Sequence, residues 1–151
     1  MYDKKIKEAF WAVFGKYMSL QPSGSGQKIN WINYKTGVKY LHFRLAADDK
    51  KAGMYIELSH PDLELQQQMF NQLLQDKYML NTDPDLHWLY TPGITNTEGR
   101  IISKVFVEQF GPNVYFRSDW PAIISFLKSA LVIVDLFWTE QRDIYSFIAE
   151  S

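Results

Sequence analysis

The chain has 151 residues, 46% hydrophobic and 16% aromatic, which suits one domain with a proper core and is too short for two. It has no Cys, so disulfides, thiolate metal sites and thiol catalysis are excluded. The net charge of −1 is unevenly divided: residues 1–51 hold ten Lys/Arg against four Asp/Glu (+6), and residues 52–151 hold six against thirteen (−7). Either the two parts neutralise each other in the fold, the preferred reading, or the basic part presents a face to a polyanion. The opening MYDKKIKEAF carries charges where a signal peptide has an apolar run. The longest apolar run, residues 130–138, is interrupted by Asp135 and falls short of the roughly 20 residues of a membrane span. A soluble cytoplasmic protein without a membrane partner is expected.

Residues 3–19 read as an amphipathic helix, with Ile6, Ala9, Phe10, Val13, Phe14 and Tyr17 on one face. Gly15 within it suggests a close packing contact. The segment QPSGSGQ (residues 21–27) is the most flexible stretch, and residues 29–34 are a possible extra strand. Leu41, Phe43 and Leu45 then alternate with His42 and Arg44, and Met54, Ile56 and Leu58 alternate with Tyr55 and Glu57. The link DDKKAG makes an antiparallel hairpin the economical reading. Matching apolar faces pairs Leu45 with Met54, Phe43 with Ile56 and Leu41 with Leu58, because a slip of one residue would turn one apolar set into water. The opposite face then pairs Arg44 with Tyr55 and His42 with Glu57. Glu57 is expected to be held by Arg44 or His42.

Ser59 as N-cap with Asp62 three residues on, and Pro61 in the first turn, open a second helix that ends near residues 78–80. Its inner face is predicted from Leu63, Gln67, Phe70, Leu73, Leu74 and Lys77, with Leu65 and Met69 at the margins. LHWLY (residues 86–90) reads as a short strand, TPGITNTEG as a long hairpin loop, and residues 100–108 as a strand covered on both faces. Residues 114–116 suggest a short edge strand. The last helix starts near Asp119, carries Pro121 in its first turn and runs to about residue 148. Ser125, Lys128, Val132, Asp135, Thr139, Arg142 and Ser146 form its polar stripe. The remaining apolar surface should cover the sheet, and any part left over is a candidate dimer surface. Phe43, Ile56, Trp120 and Leu127 are expected to be buried together.

The candidate ligand-binding residues are Trp31, Tyr34, Lys35, Lys39, Tyr40, His42, Arg44, Tyr55 and Glu57. Aromatics beside cations suit stacking on bases and contact with phosphates, although packing with snorkelling lysines is preferred for Trp31, Tyr34, Lys35 and Lys39. The GSG at residues 24–26 lacks both phosphate-loop spacings, and there is no nucleophile elbow. His42, His60 and His87 have no metal-ligand spacing; a site from His42, Glu57 and His87 is conceivable, but no metal or other cofactor is expected. A restriction-type nuclease would need Asp48 or Asp49 with Glu57 to hold Mg²⁺, and the Lys expected two residues after the second acid is missing.

Phe10, Phe14 and Tyr17, then NWINYKTG (residues 30–37), Phe43-Arg44, Ile56-Glu57-Leu58 and Asp119-Trp120-Pro121 together resemble the bacterial domain-of-unknown-function family 4268 over nearly the full length. The resemblance implies no established activity and no agreed catalytic residues. Members occur alone or attached to nuclease-like domains, which points toward nucleic-acid or defence systems. The expected architecture is one α+β domain spanning residues 1–151, in the order α-β-β-α-β-β-α, with a mainly antiparallel sheet packed by the terminal helices. The expected function is a non-catalytic binding or accessory module, with nucleic acid as a candidate partner. The alternatives are a divergent Mg-dependent nuclease and a homo-oligomeric interaction domain, a homodimer in the simplest case.

Overall fold

The structure, a computed structural model, describes residues 3–151. Helix α1 (Lys4–Met18) starts where the Asp3 carboxylate accepts from the Lys5 amide at 2.8 Å. Strands β1 (Leu41–Ala47) and β2 (Lys51–Leu58) pair antiparallel, with Leu41 opposite Leu58, Phe43 opposite Ile56 and Leu45 opposite Met54. The register follows the apolar alternation. The link is tighter than DDKKAG suggests, because the Asp48 carboxylate accepts from the amides of Lys50 and Lys51 at 2.8 and 2.9 Å and closes the turn there. Gly53 therefore lies inside β2. A Cβ there would collide with the Tyr55 ring and hydroxyl, so glycine serves the Tyr55 ring, not the turn.

Helix α2 (Leu63–Gln75) is capped by Asp62, whose carboxylate accepts from Glu64 and Leu65, and not by Ser59. Pro61 accordingly precedes the cap. The buried face is Gln66, Met69, Phe70 and Leu73; Leu63, Gln67, Leu74 and Lys77 are exposed. After a break at Asp76, a single turn α3 (Lys77–Leu80) ends the segment near the expected place. The third strand, β3 (Leu89–Thr95), begins later and runs further than LHWLY. Pro92 and Gly93 sit in a register shift between Thr91 and Ile94, and the Gly93 amide donates to the Ser103 hydroxyl at 3.0 Å. An edge strand tolerates this because its outer amides need no ladder partner. Strand β4 (Ile101–Phe110) completes a four-stranded sheet in the order β1-β2-β4-β3, with every pair antiparallel.

Residues 114–116 do not form a strand. They lead into a 3-10 turn (Arg117–Asp119) and helix α4 (Trp120–Ala149). Trp120 Nε1 donates to the Val114 carbonyl at 2.6 Å and the Asn113 amide donates to Asp119 at 2.9 Å, which fixes that entry. The stretch Arg117–Ala149 is long and apolar enough to cross a membrane by length and composition, which the interruption at Asp135 had hidden. In the fold, 50% of its most apolar window is buried.

Helices α2 and α4 pack on the face of the sheet that carries Phe43, Met54, Ile56, Leu58, Val105 and Val107. Phe10, Phe14 and Met18 of α1 join the same core, with the Phe10 ring edge-on to Trp120 at 5.5 Å. Val13 and Tyr17, expected on that face, are over 40% exposed. Phe43, Ile56, Trp120 and Leu127 are all buried in this core, as expected. The rings nearest Phe43 are Tyr34 at 5.0 Å and Trp138 at 5.4 Å.

Residues 19–40 contain no strand, contrary to the reading of residues 29–34. The Asn30 side chain accepts from the amides of Ile32 and Asn33 at 3.1 and 3.0 Å, a turn that competes with extended pairing. This irregular strap crosses α1 and α4. Gly15 admits it: a Cβ there would meet the Ile32 Cδ1 at 3.0 Å. Trp31 is buried beneath the strap, 4% exposed.

Candidate cationic pocket

The strap rests on the polar stripe of α4. Asp135, assigned to that polar stripe, is 3% exposed. Its carboxylate accepts from the Gly24 amide at 2.6 Å and from the Tyr34 hydroxyl. Burial first, and then the Asp135 carboxylate, push the Tyr34 hydroxyl well above its ordinary pKa, while the nearby Arg142 charge acts the other way. Tyr34 is thus a permanent donor near neutrality. A Cβ at position 24 would stand 2.8 Å from Thr139 Oγ1 and 3.3 Å from Asp135 Oδ2, so a larger residue there would crowd the anchor.

Beside this anchor, the strap and α4 border a half-open pocket of about 640 Å³. Lys28 and Lys35 approach from the strap and Arg142 from α4. Tyr34 and Trp138 contribute rings, and Asn30, Asn33 and Thr139 contribute polar groups. No carboxylate or histidine lines it. Trp138 is held by its Nε1 donating to the Thr36 carbonyl at 2.9 Å. The Arg142 Cδ lies 3.9 Å from where a Cβ on Gly37 would stand, so the arginine runs past that turn. A second groove of about 720 Å³ between α1 and α4 is lined mainly by apolar groups, with Lys128 over the Tyr17 ring.

Among the described residues two ion pairs form, Arg44 with Glu57 and Lys51 with Glu108. Direct neutralisation of the basic third by the acidic remainder is therefore limited to these two; its other eight cations have no carboxylate within 4.0 Å. Lys28 and Lys35 are among those eight.

The nine candidate residues do not converge. Tyr34 and Lys35 line the pocket. Trp31 packs below, its ring 6.3 Å from that of Tyr34, and packing is the role expected of both aromatics. Lys39 and Tyr40 are exposed at the entry to β1; Tyr40 has a positive φ of 65° and its ring lies 4.5 Å from that of His60. His42, Arg44, Tyr55 and Glu57 lie on the outer face of the sheet. There Arg44 Nε meets Glu57 Oε2 at 2.7 Å, the structural pairing expected of Glu57. Burial and the Arg44 charge hold the His42 imidazole below its ordinary pKa, against the pull of Glu57. Tyr55 stacks on Phe106 at 5.6 Å and donates to Glu108, while Lys104 lies over both rings at 5.6 and 4.5 Å. These contacts already satisfy one another.

Among the described residues no three His, Asp or Glu side chains cluster closely enough to hold a metal ion, so His42, Glu57 and His87 do not assemble. Of the carboxylates considered for a nuclease, Asp48 closes its turn and Glu57 holds Arg44. Lys28, Asn30, Asn33 and Arg142 were missed. Arg142 could be seen in one stripe with Asp135 and Thr139, but nothing in the periodicity said that the strap covers it.

The family described as Domain of unknown function (DUF4268) matches residues 6–142, which include every residue lining the pocket. The chain belongs to this family. No curated protein and no solved structure matches it.

Proposed function

We propose that this protein is a non-catalytic binding module, acting in the cytoplasm, that takes hold of single-stranded nucleic acid through the pocket between the strap and α4. The observation that carries the reading is the convergence of Lys28, Lys35 and Arg142, free of carboxylate partners, on one polar cavity with Tyr34 and Trp138 in its wall. Cations with amides and hydroxyls around them suit phosphate oxygens, and the half-buried Tyr34 ring offers a contact to a base, with Trp138 buried behind it. A lining without carboxylate or histidine favours binding over proton transfer.

Fluorescence anisotropy with a labelled oligonucleotide at several salt concentrations tests this. Three phosphate contacts predict a slope of log K against log salt near −2, at about −0.7 per contact. Arg142→Met and Lys35→Met should each flatten it by about 0.7, while Lys50→Ala, at the distant β1–β2 turn, should not. Absence of binding at low salt would remove the proposal.

A second reading, self-association, rests on Leu136 and Phe147, which leave 55% and 77% of their surface exposed on α4. Sedimentation of wild type and Phe147→Asp decides it: a single monomeric species in both would exclude it.

A further inference from the structure

The same pocket carries an inference about which part of a strand it accepts, resting on the nucleic-acid reading above. The cavity is bounded on one side by the strap and on the other by α4. Its wall is fixed: Trp138 is 2% exposed and bonded to Thr36, and Tyr34 is locked onto Asp135. Three cations face this space, and no acid or imidazole lines it. An interior phosphodiester brings one negative charge and must have chain leaving on both sides. A phosphomonoester brings close to two charges at pH 7, its second pKa being about 6, and has chain on one side only. Three cations lining one half-open pocket match the higher charge of the second ligand better.

We infer that the pocket recognises a phosphomonoester dianion, as found at the phosphorylated end of a strand or on a free nucleotide. Lys28, Lys35 and Arg142 surround the phosphate, with Arg142 offering its forked donors to two oxygens. Asn30 and Asn33 lie where sugar or base follows, and the Tyr34 ring borders the same space.

The test compares one short oligonucleotide with a 5′-phosphate, a 3′-phosphate or neither, and a free nucleoside monophosphate, by anisotropy competition at pH 7.5 and pH 5. A phosphorylated end should bind about tenfold more tightly than the unphosphorylated strand at pH 7.5, the scale of one added charge against a solvent-facing cation. The advantage should shrink at pH 5, where the monoester carries close to a single charge and differs from an interior phosphodiester only in having chain on one side. The charged groups lining the site are Lys28 and Lys35 from the strap and Arg142 from α4, with the Asp135 carboxylate buried behind Tyr34, and no histidine adds its own titration there. Arg142→Met should abolish the difference between the two strands, and its thermal melt should confirm folding. If it does not fold, Lys35→Met should reduce the difference instead. Competition by the free monophosphate as strong as by the phosphorylated strand assigns the site to nucleotides; much weaker competition assigns it to strand ends. Equal affinity for phosphorylated and unphosphorylated strands would overturn this inference and leave the proposed function standing. No binding of any strand would overturn both.

Discussion

Replacing Asp135 by alanine removes the one acceptor that the strap uses on α4. The Gly24 amide and the Tyr34 hydroxyl both lose their partner in a part-buried place. A hydrogen bond to a charged acceptor contributes about 1.5–3 kcal/mol, and relief of the buried carboxylate's own desolvation offsets part of the loss of two. The net cost should be about 2–4 kcal/mol. For a chain of this size that lowers the melting temperature by roughly 5–12 °C. Asparagine is a sharper probe than alanine. Its carbonyl can accept from Gly24 while its amide donates to the Tyr34 oxygen, so Asp135→Asn should cost only about 1 kcal/mol. Urea denaturation gives both values, and limited proteolysis should show faster cutting within residues 20–30 for alanine only. Asp135→Ala with unchanged stability, or Asp135→Asn as damaging as alanine, would refute the anchor.

Phe43→Ala should cost about 3–5 kcal/mol by urea denaturation, since its ring is buried between Tyr34 and Trp138; a cost under 1 kcal/mol would put the β1–β2 packing in question. The tyrosines of the core should divide. Tyr145 donates to the buried Asp76 at 2.8 Å, so Tyr145→Phe should destabilise by about 1.5–3 kcal/mol. The Tyr90 hydroxyl has no hydrogen-bond partner among the described residues, and burial pushes its pKa up to about 12, so Tyr90→Phe should be neutral or stabilising in the same assay. The Arg44–Glu57 pair leaves 57% and 25% of its side chains exposed, so a cycle of Glu57→Gln, Arg44→Met and the double mutant should give a coupling of about 0–1 kcal/mol. Burial raises the Glu108 carboxyl, but the Tyr55 hydroxyl and the Lys51 and Lys104 charges outweigh it and hold it below its ordinary value. On acidification the unfolded chain therefore takes up this proton first. The stabilisation is complete above about pH 4.5 and is lost as the pH falls through the depressed value. Glu108→Gln should flatten the urea midpoint between pH 3 and 5.

The β1–β2 register was legible because alternation on a half-buried strand leaves one pairing that hides both apolar sets. The helices' positions were legible from their periodicity, although Leu63, Gln67, Leu74 and Lys77 of the expected inner face of the second helix are exposed. The place of strand β3 was legible but its extent was not, because Pro92 and Gly93 carry turn chemistry, and an edge strand with a bulge absorbs both. The candidate site was half legible. Tyr34 and Lys35 were singled out for their residue types. Asp135, Thr139 and Arg142 were placed on one polar stripe, with no sign of what covers it. A helical period says which residues share a stripe and nothing about what lies over it. The strap has no period of its own: its course is set by Gly24, the Asn30 turn and the burial of Trp31, each visible only in three dimensions. The attraction of the outer sheet face, with His42, Arg44, Tyr55 and Glu57, came from the same limit, since cross-strand partners that occupy one another read in sequence as available chemistry.

The most direct test of the pocket is an amide chemical-shift titration of the labelled protein with an unlabelled single-stranded oligonucleotide. The account predicts that the largest shifts fall on Gly24, Asn30, Asn33, Lys35, Thr139 and Arg142, saturating together, with little change at Tyr55, Lys104 and Phe106. Shifts concentrated on those three sheet residues, or none above noise at low salt, would contradict it.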